Sequence, residues 1–273
     1  MVREYFHTDE ELGDHMNWTL PGYYHVRGYL RRQATLRPLL AQTRNLILAG
    51  PLRPALIAYH RAVARSTPIK TNTLPYVEPF PVEQAKRALD EHGFTVGVSI
   101  PATCVDKLLE CYATNPVQNY LNPHHDHDFI TQLVSNERLV NVARMYLGAE
   151  PVLLETRLHW YKPGTSGNPT YFHYDVGDTL SVSWFVFLTD VDDEQSVTHQ
   201  VVAGTHRTKT LKELWTRRLD YNQACARYPG RVHTIMGKRG TAWFEDTLVW
   251  HKHGYVGKFR KAFSVQYSLH RQQ

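Results

Sequence analysis

The chain has 273 residues, of which 42% are apolar and 21% charged, and it carries a formal charge of +5. Those fractions are ordinary for a globular protein, and the length suits one large domain or one domain with an appendage. No apolar run approaches the roughly 20 residues of a membrane span. Three cysteines, Cys104, Cys111 and Cys225, match no metal spacing and cannot all pair, so a reducing cytoplasm is the simplest setting.

The N-terminus, MVREYFHTDEEL, lacks the apolar core of a signal peptide and is too acidic for a transit peptide. Between Asp14 and Glu78 there is no acidic residue, whereas Arg27, Arg31, Arg32, Arg37, Arg44, Arg53, Arg61, Arg65 and Lys70 fall inside that interval. Leu36, Leu39, Leu40, Leu46 and Ile47 fit an apolar helix face. Gly50-Pro51 breaks it, and a second helix starts at Pro54 with Leu56, Ile57 and Val63 on its apolar side. Two readings stand side by side. One is a helical hairpin that docks its apolar side and solvates its arginines. The other is a basic amphipathic surface for anionic lipid or another polyanion. Nucleic acid is the less supported partner, since no nucleic-acid module is recognisable. Residues 1–75 are therefore expected to form a basic helical segment separable from a domain over residues 76–273.

Residues 71–81 carry three prolines and form a linker. A helix is predicted over Val82–His92 with Gly93 as its cap, then a strand over Phe94–Ile100, and a helix from Pro101 to about Ala113. Asn122–Asp128 reads NPHHDHD, a turn-like stretch containing a second His-x-Asp, His124-His125-Asp126. It is either a solvated loop and helix cap or a lid or accessory metal site. A helix over Ile130–Leu147 and a strand over Val152–Tyr161 follow. His159 and Tyr161 share one face of that strand with Glu155 and Arg157, as a pocket mouth or as a solvent-facing polar row.

The segment YFHYDVGDTLSVSWFVFLTD, Tyr171–Asp190, carries the clearest chemistry. On a strand His173 and Asp175 point to one face and Tyr174 to the other. An imidazole and a carboxylate so placed can grip one metal ion, and His251 or His253 can add a third ligand. Two histidines and a carboxylate on one face leave other positions open, which is the ligand set of non-haem Fe(II) oxygenases. Beyond it, Lys209–Tyr228 is predicted as a helical excursion, and Val232–Met236, Gly240–Phe244 and Phe259–Leu269 as strands. Short strands with Gly and Pro between them give a mainly β domain with flanking helices.

The ordered set His173-Tyr174-Asp175, Ser183-Trp184-Phe185-Val186-Phe187-Leu188-Thr189-Asp190, Val201-Val202-Ala203-Gly204-Thr205-His206-Arg207, Val249-Trp250-His251 and Arg260-Lys261-Ala262-Phe263-Ser264 resembles the phytanoyl-CoA dioxygenase family of Fe(II)/2-oxoglutarate oxygenases, over roughly Ala85–Leu269. Ala203-Gly204-Thr205-His206 departs from the family's Pro-Gly-Ser-His, where His206 fixes a turn. The resemblance implies a double-stranded β-helix, a jelly roll of the cupin kind. It implies Fe(II) on His173, Asp175 and His251, with 2-oxoglutarate and dioxygen as cosubstrates. The Trp-His pair selects His251 over His253 as third ligand, and His253 then lines the pocket or is structural. Arg260 would clamp the far carboxylate of 2-oxoglutarate, Ser264 would add a hydroxyl from the same face, and Trp184 would be a core aromatic that also walls the pocket. Asp175 occupies the position that halogenating relatives leave open, so hydroxylation of a small or lipid-linked metabolite is expected, with release of succinate and CO2. The alternatives are a cupin-like protein that holds metal without turnover, and a membrane- or polyanion-associated interaction protein, peripheral to a membrane, that works through its basic segment.

Overall fold

Ten residues of β3, Val152–Tyr161, and nine of β9, Arg260–Ser268, make the longest ladder among the described residues. The computed structural model describes residues 43, 46–64, 66–161, 171–176, 179–192, 198–207, 209–253 and 258–269. Around that ladder a six-stranded antiparallel sheet is laid out in the order β1-β7-β4-β9-β3-β2. Its other strands are β1 (Val98–Ser99), β2 (Asn119–Leu121), β4 (Ser181–Phe187) and β7 (Thr241–Glu245). A smaller sheet runs β6-β5-β8, built from β5 (His199–Val202), β6 (Val232–Ile235) and β8 (Trp250–His253).

Alternation divides each sheet into two faces. On the large sheet Val182, Trp184 and Val186 of β4 lie beside Phe244 of β7 and Phe263, Val265 and Tyr267 of β9, and all are buried. This apolar face is covered by helices α2 (Val82–His92), α3 (Ala102–Thr114), α4 (Asp128–Val134) and α5 (Glu137–Leu147), which bring Leu89, Val105, Leu108, Ile130, Leu139 and Leu147 to one core. On the small sheet the outward face holds Val202 and Trp250. Phe172, Tyr174 and the short helices α6 (Leu211–Thr216) and α7 (Tyr221–Arg227) close over it with Leu214, Leu219 and Ala224. The two remaining faces look at one another and enclose the interior in which the site lies.

Local chemistry sets the element ends. Gly93 takes a left-handed conformation, φ +80°, and its N–H bonds to Leu89 O, which stops α2 at the predicted residue. The predicted helix over Ile130–Leu147 is two helices. Asn136 breaks out of the helical conformation and its side chain accepts from Arg138 N, starting α5 afresh. The strand expected over Phe94–Ile100 pairs only at Val98 and Ser99, with a single bridge from Phe94 to Glu245. The excursion after Lys209 is helical, as expected, with a capping box at each of Thr210 and Asp220.

Of the basic segment, helix α1 (Arg53–Val63) lies within the described residues, while Arg27, Arg31, Arg32, Arg37, Arg44 and Arg65 lie outside them. Its arginines do not simply solvate. Arg53 is buried, and Arg61 donates to the carbonyls of Leu147 and Tyr146 at the end of α5, at 2.6 and 3.1 Å. Among the described residues no helix is long and apolar enough to cross a membrane.

Candidate metal centre

Two elements converge on the interior. The short stretch Tyr171–Val176 bridges β8: His173 and His251 exchange both backbone hydrogen bonds, at 2.9 and 2.8 Å, and Asp175 N donates to Thr247 O at 2.8 Å. This pairing turns His173, Asp175 and His251 inward and sends Tyr174 outward onto Trp250, with ring centroids 4.9 Å apart. One ligating atom from each of His173, Asp175 and His251 lies within 4.8 Å of the others. The imidazole rings of His173 and His251 are 4.5 Å apart. Two imidazoles and a carboxylate converging at that spacing from separate segments fit a divalent first-row metal. The side chain of Asp175 is 56% exposed, against 6% for His251, so the site opens on the carboxylate side.

The surroundings fix the protonation of this cluster. Burial opposes a charge on His251, but its hydrogen bond to Asp175 and the charges of Glu245 and Asp175 outweigh burial and hold its pKa up to about 9. Burial first, and then His251, lowers His173 to about 4. Although the Asp175 side chain is half open to solvent, the protein packed around its carboxylate would raise it, yet the bond from His251 and the nearby imidazoles keep it ionised, well below the usual carboxylate range. His251 Nε2 and Asp175 Oδ2 stand 3.4 Å apart.

The sequence reading missed the carboxylate behind His251. Glu245, the last residue of β7, is fully buried. Its Oε2 accepts from His199 Nε2 at 2.7 Å and from Trp243 Nε1 at 3.1 Å, and its Oε1 lies 3.3 Å from His251 Nδ1. His251 Nδ1 is also 3.1 Å from Val249 O. The Val249 carbonyl accepts from Nδ1–H and the Glu245 charge beside it favours the proton there, which leaves Nε2 to face Asp175 and a metal. The only sign of this in the sequence is an acidic pair, Glu245-Asp246, closing an aromatic strand. An acidic residue at a strand end is ordinary, which is why it went unnoticed.

Opposite the ligands, the inward face of the large sheet carries Arg260, Ala262, Ser264 and Gln266 of β9, Tyr161, His159, Arg157 and Glu155 of β3, and Ser183, Phe185 and Phe187 of β4. Arg260 is buried, with its guanidinium 4.6 Å from the Tyr161 ring centroid and 5.6 Å from that of Phe187. Its Nη2 lies 3.2 Å from His253 Nδ1, and Tyr161 Oη lies 3.1 Å from His253 Nε2. A guanidinium only donates, so His253 Nδ1 accepts and Nε2–H donates to Tyr161. Burial, reinforced by Arg260, keeps His253 neutral.

The site residues expected from the sequence thus divide. His173, Asp175 and His251 come together, and His253 and Arg260 meet across the interior. His253 stands two residues along β8 from His251 and outside the ligand cluster. Ser264 shares the face of Arg260 but lies four residues on, about 13 Å along the strand, opposite Phe185 and Arg157. It walls the interior and does not meet Arg260 at one carboxylate. Trp184 is the core aromatic that was expected, but it does not wall the pocket. It faces the helices and packs on Phe244 and Phe263, at 6.4 Å each. Its neighbour Phe185 takes the inward place, stacked on Trp243 at 5.1 Å and on His199 at 5.9 Å. His159 and Tyr161 point into the interior; further along the same face Arg157 and Glu155 are partly exposed and pair with each other at 2.7 Å. The second His-x-Asp forms a 3-10 turn over Pro123–His125, in which His124 bonds Thr156 and Asp126 accepts from Tyr120. Among the described residues it joins no ligand cluster.

No family model matches the chain. Ectoine dioxygenase from Bordetella parapertussis is 28% identical over 162 residues, 50% of this chain and 52% of the relative. The chain therefore spans about half the length of the curated relative it matches. Among solved structures, EctD from S. alaskensis with 2-oxoglutarate and 5-hydroxyectoine superposes with a TM-score of 0.54 at 19% identity, over 75% of this chain and 82% of that one. The non-haem α-ketoglutarate-dependent epimerase SnoN from nogalamycin biosynthesis gives a TM-score of 0.54 at 15% identity, over 68% and 82%. The related carbocyclase SnoK gives 0.53 at 18%, over 70% and 86%. The chain has the fold of the non-haem, 2-oxoglutarate-dependent oxygenases. The resemblance drawn from the ordered motifs and the expected jelly roll are both borne out.

Proposed function

We propose that the protein is an Fe(II)/2-oxoglutarate-dependent dioxygenase that hydroxylates a small molecule and releases succinate and CO2. The observation that carries this reading is the His173–Asp175–His251 cluster facing a buried arginine, Arg260, across one enclosed interior. Iron held by the three ligands supplies, when bound, the activation of dioxygen coupled to decarboxylation of the oxo-acid. The chain supplies the rest. Glu245 and Val249 O fix the ring of His251. Arg260 offers a forked, desolvated cation to the far carboxylate of the cosubstrate, and entry of that carboxylate replaces the contact to His253. Phe185, Phe187 and Trp243 keep that end dry.

A small-molecule substrate agrees with the names of the relatives, and ectoine is the first candidate to try. The intact carboxylate at Asp175 and the buried Arg260 speak against a protein that only stores metal. The basic segment as a membrane anchor loses the charge of Arg53, which is buried and paired with Asp246.

The test is succinate release from 2-oxoglutarate with Fe(II) in air, with ectoine and a panel of small metabolites as substrates. Succinate formed faster with one of them supports the reading. Metal bound at His173, Asp175 and His251 with neither 2-oxoglutarate affinity nor succinate would replace it with a non-catalytic metal-binding protein.

A further inference from the structure

Arg53 lies in a part of the chain that carries no acid between Asp14 and Glu78, so its anionic partner has to come from much later in the sequence. That partner is Asp246, 193 residues on, with Nη2 3.1 Å from Oδ2 and both side chains buried, at 8% and 2% exposure. The same guanidinium donates to His206 O and to Thr179 O, each at 3.1 Å. One side chain of helix α1 thereby ties together the stretch that follows the His-x-Asp segment, the Ala203–His206 turn, and the turn that enters β8.

The last of these turns delivers the ligands. Asp246 Oδ1 accepts from Leu248 N at 3.0 Å, and Tyr146 Oη donates to Oδ2 at 2.6 Å. Asp246 O accepts from Val249 N at 2.9 Å. Within the turn, Thr247 O holds Asp175 N, Val249 O faces His251 Nδ1, and Glu245 Oε1 lies beside the same nitrogen. Thr205 Oγ1 accepts from Trp250 N at 2.9 Å, and Lys209 Nζ donates to Leu248 O and Thr205 O at 2.5 Å each. Asp246 is the carboxylate at the centre of this arrangement, and among the described residues Arg53 is the cation paired with it. Without that guanidinium, a buried carboxylate is left with two neutral donors, and the turn must reorganise to reach water or a proton.

We infer that Arg53 is a positioning residue of the metal centre: helix α1 clamps the Asp246–Val249 turn, and through it the register of His173 and Asp175 against His251. The inference rests on the metal-site reading above. It makes the basic segment a structural part of the site, where the sequence pattern suggested an appendage.

The experiment compares Arg53→Ala with Arg61→Ala, which loosens the same helix from α5 without touching Asp246. Two kinds of measurement are made on the full chain at a temperature where circular dichroism shows both variants folded. One is amide hydrogen exchange over residues 246–253 in metal-free protein. The other is Co(II) affinity and the visible d–d spectrum. Arg53→Ala should speed exchange in that segment about tenfold or more and weaken Co(II) about tenfold with an altered spectrum. Arg61→Ala should do neither. Arg53→Lys, which keeps the charge and loses the fork, should fall between, and it carries the comparison if Arg53→Ala does not fold. Wild-type exchange and affinity in folded Arg53→Ala overturn the inference, as does Arg61→Ala reproducing both changes. Faster exchange in Arg53→Ala while the wild-type protein takes up no Co(II) would support the clamp and sink the metal-site reading alone.

Discussion

The two sheets follow the same period of two and yet hold their inward groups differently. The large sheet presents Arg260 from the first residue of a nine-residue strand, paired there with Tyr161 of β3, while β4 joins the other side of β9 from Ala262 onward. Its inward cation stays where the ladder puts it. The small sheet presents His251 from a four-residue strand, and His173 and Asp175 from a stretch that pairs with it through one bridge and one further bond. Those groups need support from outside the ladder: Glu245, the Asp246 turn and Arg53. The lesson is that a strand's length decides how far side-chain positions rest on the backbone and how far on the residues packed behind it. The place of an inward arginine on a long strand can be read from that strand. A metal ligand held by a short strand depends on neighbours from the whole chain.

Substitutions sharpen this contrast, beginning with the small sheet. His251→Ala should abolish succinate formation and metal retention. His253→Ala should keep the metal and, because the cosubstrate displaces His253 from Arg260, should not weaken 2-oxoglutarate binding, measured by Co(II) titration followed by anaerobic cosubstrate titration. The reverse pattern would exchange their roles. On the large sheet, Trp184→Ala empties a fully buried site on the helix-facing side and should cost about 3–5 kcal/mol of unfolding free energy in urea. The protein that remains folded should bind 2-oxoglutarate normally. A selective loss of cosubstrate would put Trp184 back in the pocket.

Arg260→Ala removes a charged, forked contact worth about 1.5–3 kcal/mol, a ten- to hundredfold loss of 2-oxoglutarate affinity. Metal affinity should be unchanged, since the residue stands on the other sheet. Glu245→Gln should lower Co(II) affinity about tenfold, because the neutral amide no longer fixes the proton on His251 Nδ1 as strongly. Equal effects of the Arg260 and Glu245 substitutions on metal and cosubstrate would erase the distinction between the sheets.

The smallest effect concerns pH. Burial, ahead of any nearby charge, lowers His206 from 6.5 to about 4. The unfolded chain thus takes up a proton at His206 before the folded one does. The stability this neutral ring contributes is fully present above about pH 6.5 and is lost as pH falls toward 4. The loss should be on the order of 1–2 kcal/mol by pH 5. Thermal melts of metal-free protein at pH 8 and pH 5 should show a smaller difference in His206→Gln than in wild type. Identical pH slopes would discharge His206 from this role.

Much of the site was legible because it is local. His173 and Asp175 lie two apart, and their shared face follows from strand geometry alone. The Trp-His pair and the arginine nine residues later added the third ligand and the clamp through the resemblance, and the structure brings them to one interior. Gly93, the capping residues of the excursion and the period-two strands were legible for the same reason: φ preference, hydrogen-bond satisfaction and alternation act within a few residues. The inward face of β4 was misassigned at Trp184 because alternation says that Trp184 and Phe185 point opposite ways, but not which of the two faces the helices. Both are large, aromatic and apolar, so composition could not break the tie.

The chain's own order of residues therefore determined the element types and the shared face of His173 and Asp175 within one stretch. The tertiary structure alone decided which face of each strand looks inward, that Glu245 stands behind His251, and that Arg53 closes on Asp246. The physical reason is desolvation. A buried carboxylate must find donors wherever the fold brings them, and nothing in the local sequence says that the donor for residue 246 waits at residue 53.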